Sequence, residues 1–117
     1  IASIEALNGP QDFVDQMVAS FDKRRKVIVE ALKKIPGFSC NIPTGAFYVM
    51  PNIEQTGLKS DQLQNRLLEE CGVATISGSS FGSGGDGFLR FSYAASTEDI
   101  LSAIDRIRRF LDKNIAN

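Results

Sequence analysis

The chain has 117 residues, with 13 basic and 14 acidic side chains, two cysteines and no histidine. The lack of an imidazole excludes hydrolytic triads built on histidine and most zinc sites. A formal net charge of −1, with both signs interspersed, creates no attractive field for nucleic acid. No apolar run approaches the roughly 20 residues of a membrane-spanning helix. We therefore expect a single globular domain with no nucleic-acid partner, no membrane partner and no metal site.

The two cysteines, Cys40 and Cys71, form no CxxC pair and are too few for the disulfide framework of a small secreted domain. We expect buried thiols in a reducing compartment and hence a cytoplasmic protein, with organellar targeting left open. The chain begins at Ile1 rather than at methionine, so we also expect it to be part of a longer protein.

Two helices are predicted in the first third of the chain. Residues 1–8 resemble the last turns of a helix, and Asn8-Gly9-Pro10 interrupts it. A long amphipathic helix then runs to Pro36-Gly37, which stops it. Its apolar residues follow 3–4 spacing over about six turns: Phe13, Val14, Met17, Val18, Phe21, Ile28, Ala31, Leu32 and Ile35.

Two further helices are marked by their capping residues. Ser60 is predicted to cap a shorter helix that ends at Gly72. The run Ser96-Thr97-Glu98-Asp99 opens the last helix in a capping-box pattern.

Short strands fill the intervals between the helices. Alternating apolar residues in 38–42 and a compact apolar run in 46–50 predict a hairpin. Residues 73–76 and 88–93 predict two more strands, joined by a glycine-rich loop at 77–87. The sequence thus predicts an α+β domain, in which helices cover one face of a small, mostly antiparallel sheet and one long N-terminal helix leads.

Residues 82–87 match the dinucleotide-binding pattern GxGxxG by letter. That motif requires a strand before it and a helix after it, because the pyrophosphate sits on the helix N-terminus. Here a strand follows, so we interpret the segment as a surface loop, one able to fold over a ligand.

Arg90 is the most informative single residue. It lies within the predicted strand 88–93, flanked by apolar residues, and alternation puts Leu89, Phe91 and Tyr93 on one side of the strand and Phe88, Arg90 and Ser92 on the other. A guanidinium offers a rigid fork of donors that matches a carboxylate, and it stays charged at any working pH. Two interpretations remain open on this context alone. Arg90 is either structural, lying on the wet face of the sheet or paired with one of the fourteen acids, or it binds a carboxylate ligand.

The remaining charged residues offer no catalytic group. The six lysines lie on polar helix faces or at helix ends, where nothing depresses a lysine pKa. The basic run 23–26 is flanked by Asp22 and Glu30, which favours a solvated helix face over a phosphate-binding patch. No pair of carboxylates is placed for acid–base catalysis.

Six motifs in order resemble the C-terminal part of the class I and II, aspartate-aminotransferase-like, pyridoxal-phosphate-dependent aminotransferases. Together they cover essentially the whole chain: ALNGPQDF (6–13), RR (24–25), IPGF (35–38), PTGAFY (43–48), GSSFG (78–82) and LRFSYA (89–94). One departure is Ser77, where the family often has proline, and this substitution is expected to loosen the loop without changing the chemistry.

The resemblance implies that this region is the small domain, residues 1–117, which closes over a substrate bound to the cofactor on a separate large domain. It implies that Arg90 binds the α-carboxylate of an amino acid or 2-oxo acid. Loop 81–87 and the strand residues Phe47-Tyr48 would shape its surroundings. It also implies that the full-length enzyme is a homodimer.

The family's cofactor lysine, its Asn-Pro-x-x-Pro-Thr-Gly segment, the aspartate that pairs with the pyridine nitrogen and the phosphate-binding tyrosine and arginine have no match here. They belong to the large domain, so we expect pyridoxal phosphate in the full-length enzyme but not on this chain. We accordingly expect the chain alone to hold no catalytic or cofactor-binding residue and to be inactive. The alternative is a free-standing, non-catalytic α+β module that binds a small carboxylate.

Overall fold

The computed structural model describes residues 1–115, which form four helices and a three-stranded antiparallel sheet in the order β1-β3-β2. This arrangement confirms the predicted α+β class. The helices are α1 (Ala2–Asn8), α2 (Asp12–Leu32), α3 (Ser60–Cys71) and α4 (Thr97–Ile115), and the strands are β1 (Tyr48–Val49), β2 (Ile76–Ser77) and β3 (Leu89–Ser92).

The central strand β3 has one covered and one open face. Leu89, Phe91 and the following Tyr93 are buried, whereas Arg90 is half-buried and Ser92 is exposed. Successive side chains of a strand point to opposite faces, so this alternation separates the two sides of the sheet. The predicted coverage of one face by helices is confirmed.

The core lies between the covered face of the sheet and the helices. Burial of its aliphatic side chains supplies the main favourable free energy of folding. Its buried members on the helices are Ile28, Val29 and Leu32 of α2, Leu63 and Leu67 of α3, and Ile100, Ile104, Ile107, Phe110 and Leu111 of α4.

The apolar stripe of α2 is buried only in its C-terminal half. Ile28, Val29 and Leu32 lie in the core, but Phe13 and Val18, near the N-terminus of the same helix, are 74% and 59% exposed. The helix is amphipathic, as predicted, but it ends at Leu32 rather than at Pro36-Gly37, and the N-terminal half of its apolar stripe is largely exposed.

The predicted hairpin between residues 38–42 and 46–50 is wrong. The first segment forms only an isolated bridge, Ser39 with Asn52, and β1 pairs instead with β3, Val49 opposite Phe91. Arg25 of α2 donates a hydrogen bond to the carbonyl of Pro43, 3.0 Å away. The chain before β1 is thereby tied to α2 rather than folded back on β1.

The predicted N-cap role of Ser60 is also wrong. Lys59 occupies the cap position, and the Ser60 hydroxyl instead shares a buried hydrogen bond of 2.8 Å with the hydroxyl of Ser77 on β2. Gly72 does end α3 in the left-handed conformation, at φ 64°. Ser96 does cap α4, since its hydroxyl oxygen accepts a hydrogen bond from the Asp99 amide at 3.0 Å.

Candidate functional site

The candidate site lies on the open face of the sheet, around Arg90. Arg90 sits in the middle of β3 and is the register partner of Ile76 on β2. Its neighbours Leu89 and Phe91 are buried on the other face. The strand is thus anchored from one side while it presents the guanidinium on the other.

Two aromatic rings from different parts of the chain lie against the Arg90 guanidinium. Its carbon Cζ is 4.3 Å from the ring centroid of Tyr48 on β1 and 4.6 Å from that of Phe81. Both distances are well within the range of cation–π interaction. The structure therefore brings together Arg90, one residue of the predicted Phe47-Tyr48 segment and one residue of the predicted loop 81–87.

The Arg90 guanidinium has no acidic partner within residues 1–115. The ion pairs of this part of the chain join other basic residues to carboxylates, namely Arg25, Lys26, Arg66, Arg108 and Arg109, and the side-chain hydrogen bonds leave the donors of Arg90 unused. The interpretation of Arg90 as one half of an intramolecular ion pair is therefore not supported. Its fork of N–H donors is available to a carboxylate from outside the described residues.

Tyr48 is positioned by contacts that precede β1. The ring of its neighbour Phe47 stacks on Phe21 of α2, with centroids 5.9 Å apart. The Phe47 carbonyl accepts a hydrogen bond of 2.9 Å from the amide of Tyr93. Antiparallel pairing of Tyr48 with Ser92 then fixes the backbone from which the Tyr48 ring reaches Arg90.

Phe81 is positioned by the glycine-rich loop, which folds into two 3-10 turns, Gly78–Phe81 and Ser83–Gly85. The amide of Gly78 donates to the carbonyl of Phe88 at 2.8 Å, and the amide of Phe88 donates to the carbonyl of Gly85 at 3.1 Å. A strand rather than a helix follows the loop. The GxGxxG letters therefore lack the helix N-terminus that a bound pyrophosphate needs.

The basic run at 23–26 is partly neutralised by Asp22. Lys26 Nζ lies 2.7 Å from one Asp22 oxygen and Arg25 Nη2 lies 2.6 Å from the other. Hydrogen bonds from Lys26 and then Arg25 hold the pKa of Asp22 below its ordinary value. These pairs support the interpretation of this run as a solvated helix face.

Cys40 and Cys71 are both half-buried free thiols. Burial raises the pKa of each, which keeps the unreactive thiol form dominant at neutral pH. Across residues 1–115, no three histidine, cysteine or carboxylate side chains gather to hold a metal ion. No helix within the same range combines the length and apolar character needed to cross a bilayer.

Comparison with known proteins identifies the family. The profile of the family described as aminotransferase class I and II matches residues 1–107. The chain belongs to the class I and II aminotransferases. The match covers the open sheet face with Arg90, the loop with Phe81 and most of the last helix.

Individual aminotransferases agree with this assignment. The aspartate aminotransferase of Pyrococcus horikoshii is 42% identical over 114 residues, covering 96% of this chain and 29% of that protein. Among solved structures, the alanine aminotransferase of Pyrococcus furiosus superposes with a TM-score of 0.91 at 32% identity, covering 96% of this chain and 29% of its own. The aspartate aminotransferase of Rhizobium meliloti gives 0.88 at 36% identity, covering 95% and 30%. The chain thus spans about 29% of the length of the curated relatives it matches.

The described residues of this aminotransferase chain do not fit a pyridoxal phosphate site. Such a cofactor is anchored covalently by a lysine that is enclosed with it. All six lysines of the chain are exposed, and they lie on helices or beside helix ends: Lys23, Lys26, Lys33, Lys34, Lys59 and Lys113. None of these lysines is enclosed as a cofactor anchor needs to be.

The stacking of Tyr48 and Phe81 on Arg90 was missed by sequence reasoning, which named only the segments around them. The partial signal was the alternation along 88–93, which placed Arg90 opposite the buried residues. The two rings come from positions 42 and 9 residues before Arg90, and no local pattern shows that they meet.

Proposed function

We propose that residues 1–117 form the small domain of a pyridoxal-phosphate-dependent aminotransferase and that Arg90 binds the α-carboxylate of its substrate. The complete enzyme transfers an amino group between an α-amino acid and a 2-oxo acid. The observation that carries the proposal is a guanidinium that has no acidic partner within residues 1–115, presented on the open face of the sheet in a chain of this family.

The physical role of Arg90 is to bind and to orient. A bidentate pair between guanidinium and carboxylate fixes both the position and the plane of the bound acid group. Holding that end of the substrate sets the direction of the bonds at its α-carbon, which lowers the entropic part of the activation barrier. Because a guanidinium does not deprotonate in the working pH range, this binding persists wherever the substrate carboxylate is ionised.

The cofactor belongs, in this proposal, to the remaining part of the protein. Pyridoxal phosphate supplies the electron sink that makes reaction at the α-carbon feasible. The exposed lysines of this chain offer no anchor for it, so we expect the 117 residues alone to show neither turnover nor cofactor absorbance. We further propose that the complete enzyme is a homodimer in the cytoplasm.

The uncovered apolar stripe of α2 supports the assignment to a larger enzyme. Phe13, Met17 and Val18 are exposed on a helix whose C-terminal half is buried in the core. Exposed apolar surface of this kind is typical of an interface with another domain or subunit. In our proposal this stripe contacts the rest of the aminotransferase.

The test is Arg90→Lys in the complete enzyme. Lysine keeps the charge but loses the planar fork, so we expect the KM for amino acids to rise roughly ten- to hundredfold. The visible absorbance of the bound cofactor should stay unchanged, because Arg90 does not hold it. An unchanged KM would remove Arg90 from the substrate site.

A further inference from the structure

Arg90 is a flexible side chain by nature, and its affinity for a carboxylate depends on what holds it still. Its guanidinium donates no hydrogen bond within the described residues, so ion pairs and hydrogen bonds do not fix it there. The contacts that remain are the two rings, Tyr48 at 4.3 Å and Phe81 at 4.6 Å.

We propose that Tyr48 and Phe81 are positioning residues that hold the Arg90 guanidinium ready for the carboxylate. This inference rests on the proposed function of Arg90. It adds which residues set the affinity of Arg90 for the carboxylate. The rings contact the cation through their electron-rich faces, and they leave its N–H groups unused.

Two physical effects of the rings favour carboxylate binding. Restricting the long arginine side chain in the free protein removes part of the conformational entropy that binding otherwise costs. The rings also displace water from the guanidinium, which is only weakly hydrated, so less water must be removed when the acid group arrives. Both effects act before any reaction begins, and they therefore change substrate affinity rather than the chemical step.

Phe81 needs support of its own, because this residue is 54% exposed. That support is the loop crossing, the point in the glycine-rich loop where the backbone at Gly78 lies directly against the backbone at Gly85. A side chain carbon on Gly78 would overlap the carbonyl oxygen of Gly85, and one on Gly85 would overlap that of Gly78. Only two glycines allow the loop to close this tightly, and the closure places the turn Gly78–Phe81 beside β3.

Tyr48 reaches Arg90 through its ring alone. Its hydroxyl makes no hydrogen bond with the described part of the chain, whereas the ring lies against the guanidinium. The positioning role therefore predicts that an aromatic ring, rather than a hydroxyl, is required at position 48.

The experiment measures steady-state kinetics of the complete enzyme with an amino acid substrate. We expect Phe81→Leu and Tyr48→Leu each to raise KM roughly three- to tenfold with kcat nearly unchanged, the range of one cation–π contact. Phe81→Tyr and Tyr48→Phe keep the ring and should restore the KM of the parent enzyme. The matched control is Phe88→Leu. Phe88 is also an aromatic residue, it lies two residues before Arg90 in the sequence, and it has no cation–π contact with Arg90.

A double-mutant cycle separates this inference from the proposed function. In an Arg90→Gln background the cation is gone, so Phe81→Leu should leave kcat/KM unchanged. An equal effect of Phe81→Leu in both backgrounds would overturn the positioning role, as would an unchanged KM in both leucine variants alongside a raised KM in Arg90→Lys. If Arg90→Lys itself leaves KM unchanged, the proposed function fails and takes this inference with it.

Discussion

The hydroxyl of Tyr93 donates a hydrogen bond of 2.9 Å to the carbonyl of Ala46, which precedes it by 47 residues. Ala46 has a φ of 57°, the left-handed region that a side chain disfavours, and no other non-glycine residue in the described range shares it. The bond closes the segment before β1 onto the end of β3. Tyr93 therefore helps to set the path of the chain into Tyr48.

Removing the Tyr93 hydroxyl tests this closure. We expect Tyr93→Phe to lower the free energy of unfolding by about 1 kcal/mol, the net value of one such hydrogen bond. Urea unfolding followed by circular dichroism measures the change. Tyr48→Phe is the matched control, because the Tyr48 hydroxyl has no hydrogen-bond partner among the described residues, and it should leave the unfolding midpoint unchanged.

Tyr93 also leads us to expect that the protein loses folding stability at alkaline pH. Burial raises the pKa of Tyr93 above its ordinary value, because it disfavours the charged phenolate. A raised folded-state pKa gives stability that is complete below about pH 10, the unfolded value, and is lost as the pH rises further. Unfolding midpoints at about pH 8 and about pH 11 should therefore differ more in the parent protein than in Tyr93→Phe. Equal differences would show that other groups cause the alkaline loss.

Two adjacent leucines of α3 provide a test of the core. Leu67 is fully buried in the core, whereas Leu68 is 56% exposed. We expect Leu67→Ala to destabilise the fold by about 2–5 kcal/mol, since it removes buried apolar area and leaves a cavity. Leu68→Ala, one residue along the same helix, should cost less than about 1 kcal/mol. Urea unfolding measures the loss of unfolding free energy in each variant. Similar losses in both would contradict the placement of Leu67 in the core.

Two adjacent glycines provide a test of the loop crossing. A side chain carbon on Gly85 would overlap the carbonyl of Gly78, but one on Gly84 would meet nothing within 4 Å. We expect Gly85→Ala to destabilise the protein by about 1–3 kcal/mol, as overpacking does. Gly84→Ala should be neutral or slightly stabilising, because it restricts the unfolded chain. The thermal unfolding midpoints of the two variants give the comparison, and equal midpoints would contradict a tight crossing.

The sequence predicted the elements whose signals are local. The 3–4 spacing of α2, the left-handed glycine at Gly72 and the capping serine at Ser96 each depend on neighbouring residues, and all three are confirmed. The alternation along β3 also identified the side of the strand from which Arg90 projects. Such patterns follow from the geometry of one helix or one strand.

The wrong predictions of strand pairing and capping concern partners that are distant in sequence, whereas two boundary errors are local: α2 ends at Leu32 rather than at Pro36-Gly37, and β2 begins at Ile76 rather than at Val73. Residues 38–42 alternate like a strand, yet β1 pairs with β3, whose residue Ser92 lies 44 positions after Tyr48. Ser60 has a capping side chain, yet its hydroxyl bonds to Ser77. Periodicity does not identify the partner, because pairing depends on how separate segments pack against one another. The contact of Tyr48 and Phe81 with Arg90 escaped prediction for the same reason.

The two faces of β3 meet different physical demands. Leu89 and Phe91 are constrained by packing, while Arg90 and Ser92 between and beside them face outward. Replacing an outward residue leaves the packed interior untouched, so the ligand preference of the proposed site can be altered at little cost to folding. A library that varies Ile76 and Ser92 around a retained Arg90 and Tyr48 is consequently a rational starting point for altering which carboxylates the proposed site binds.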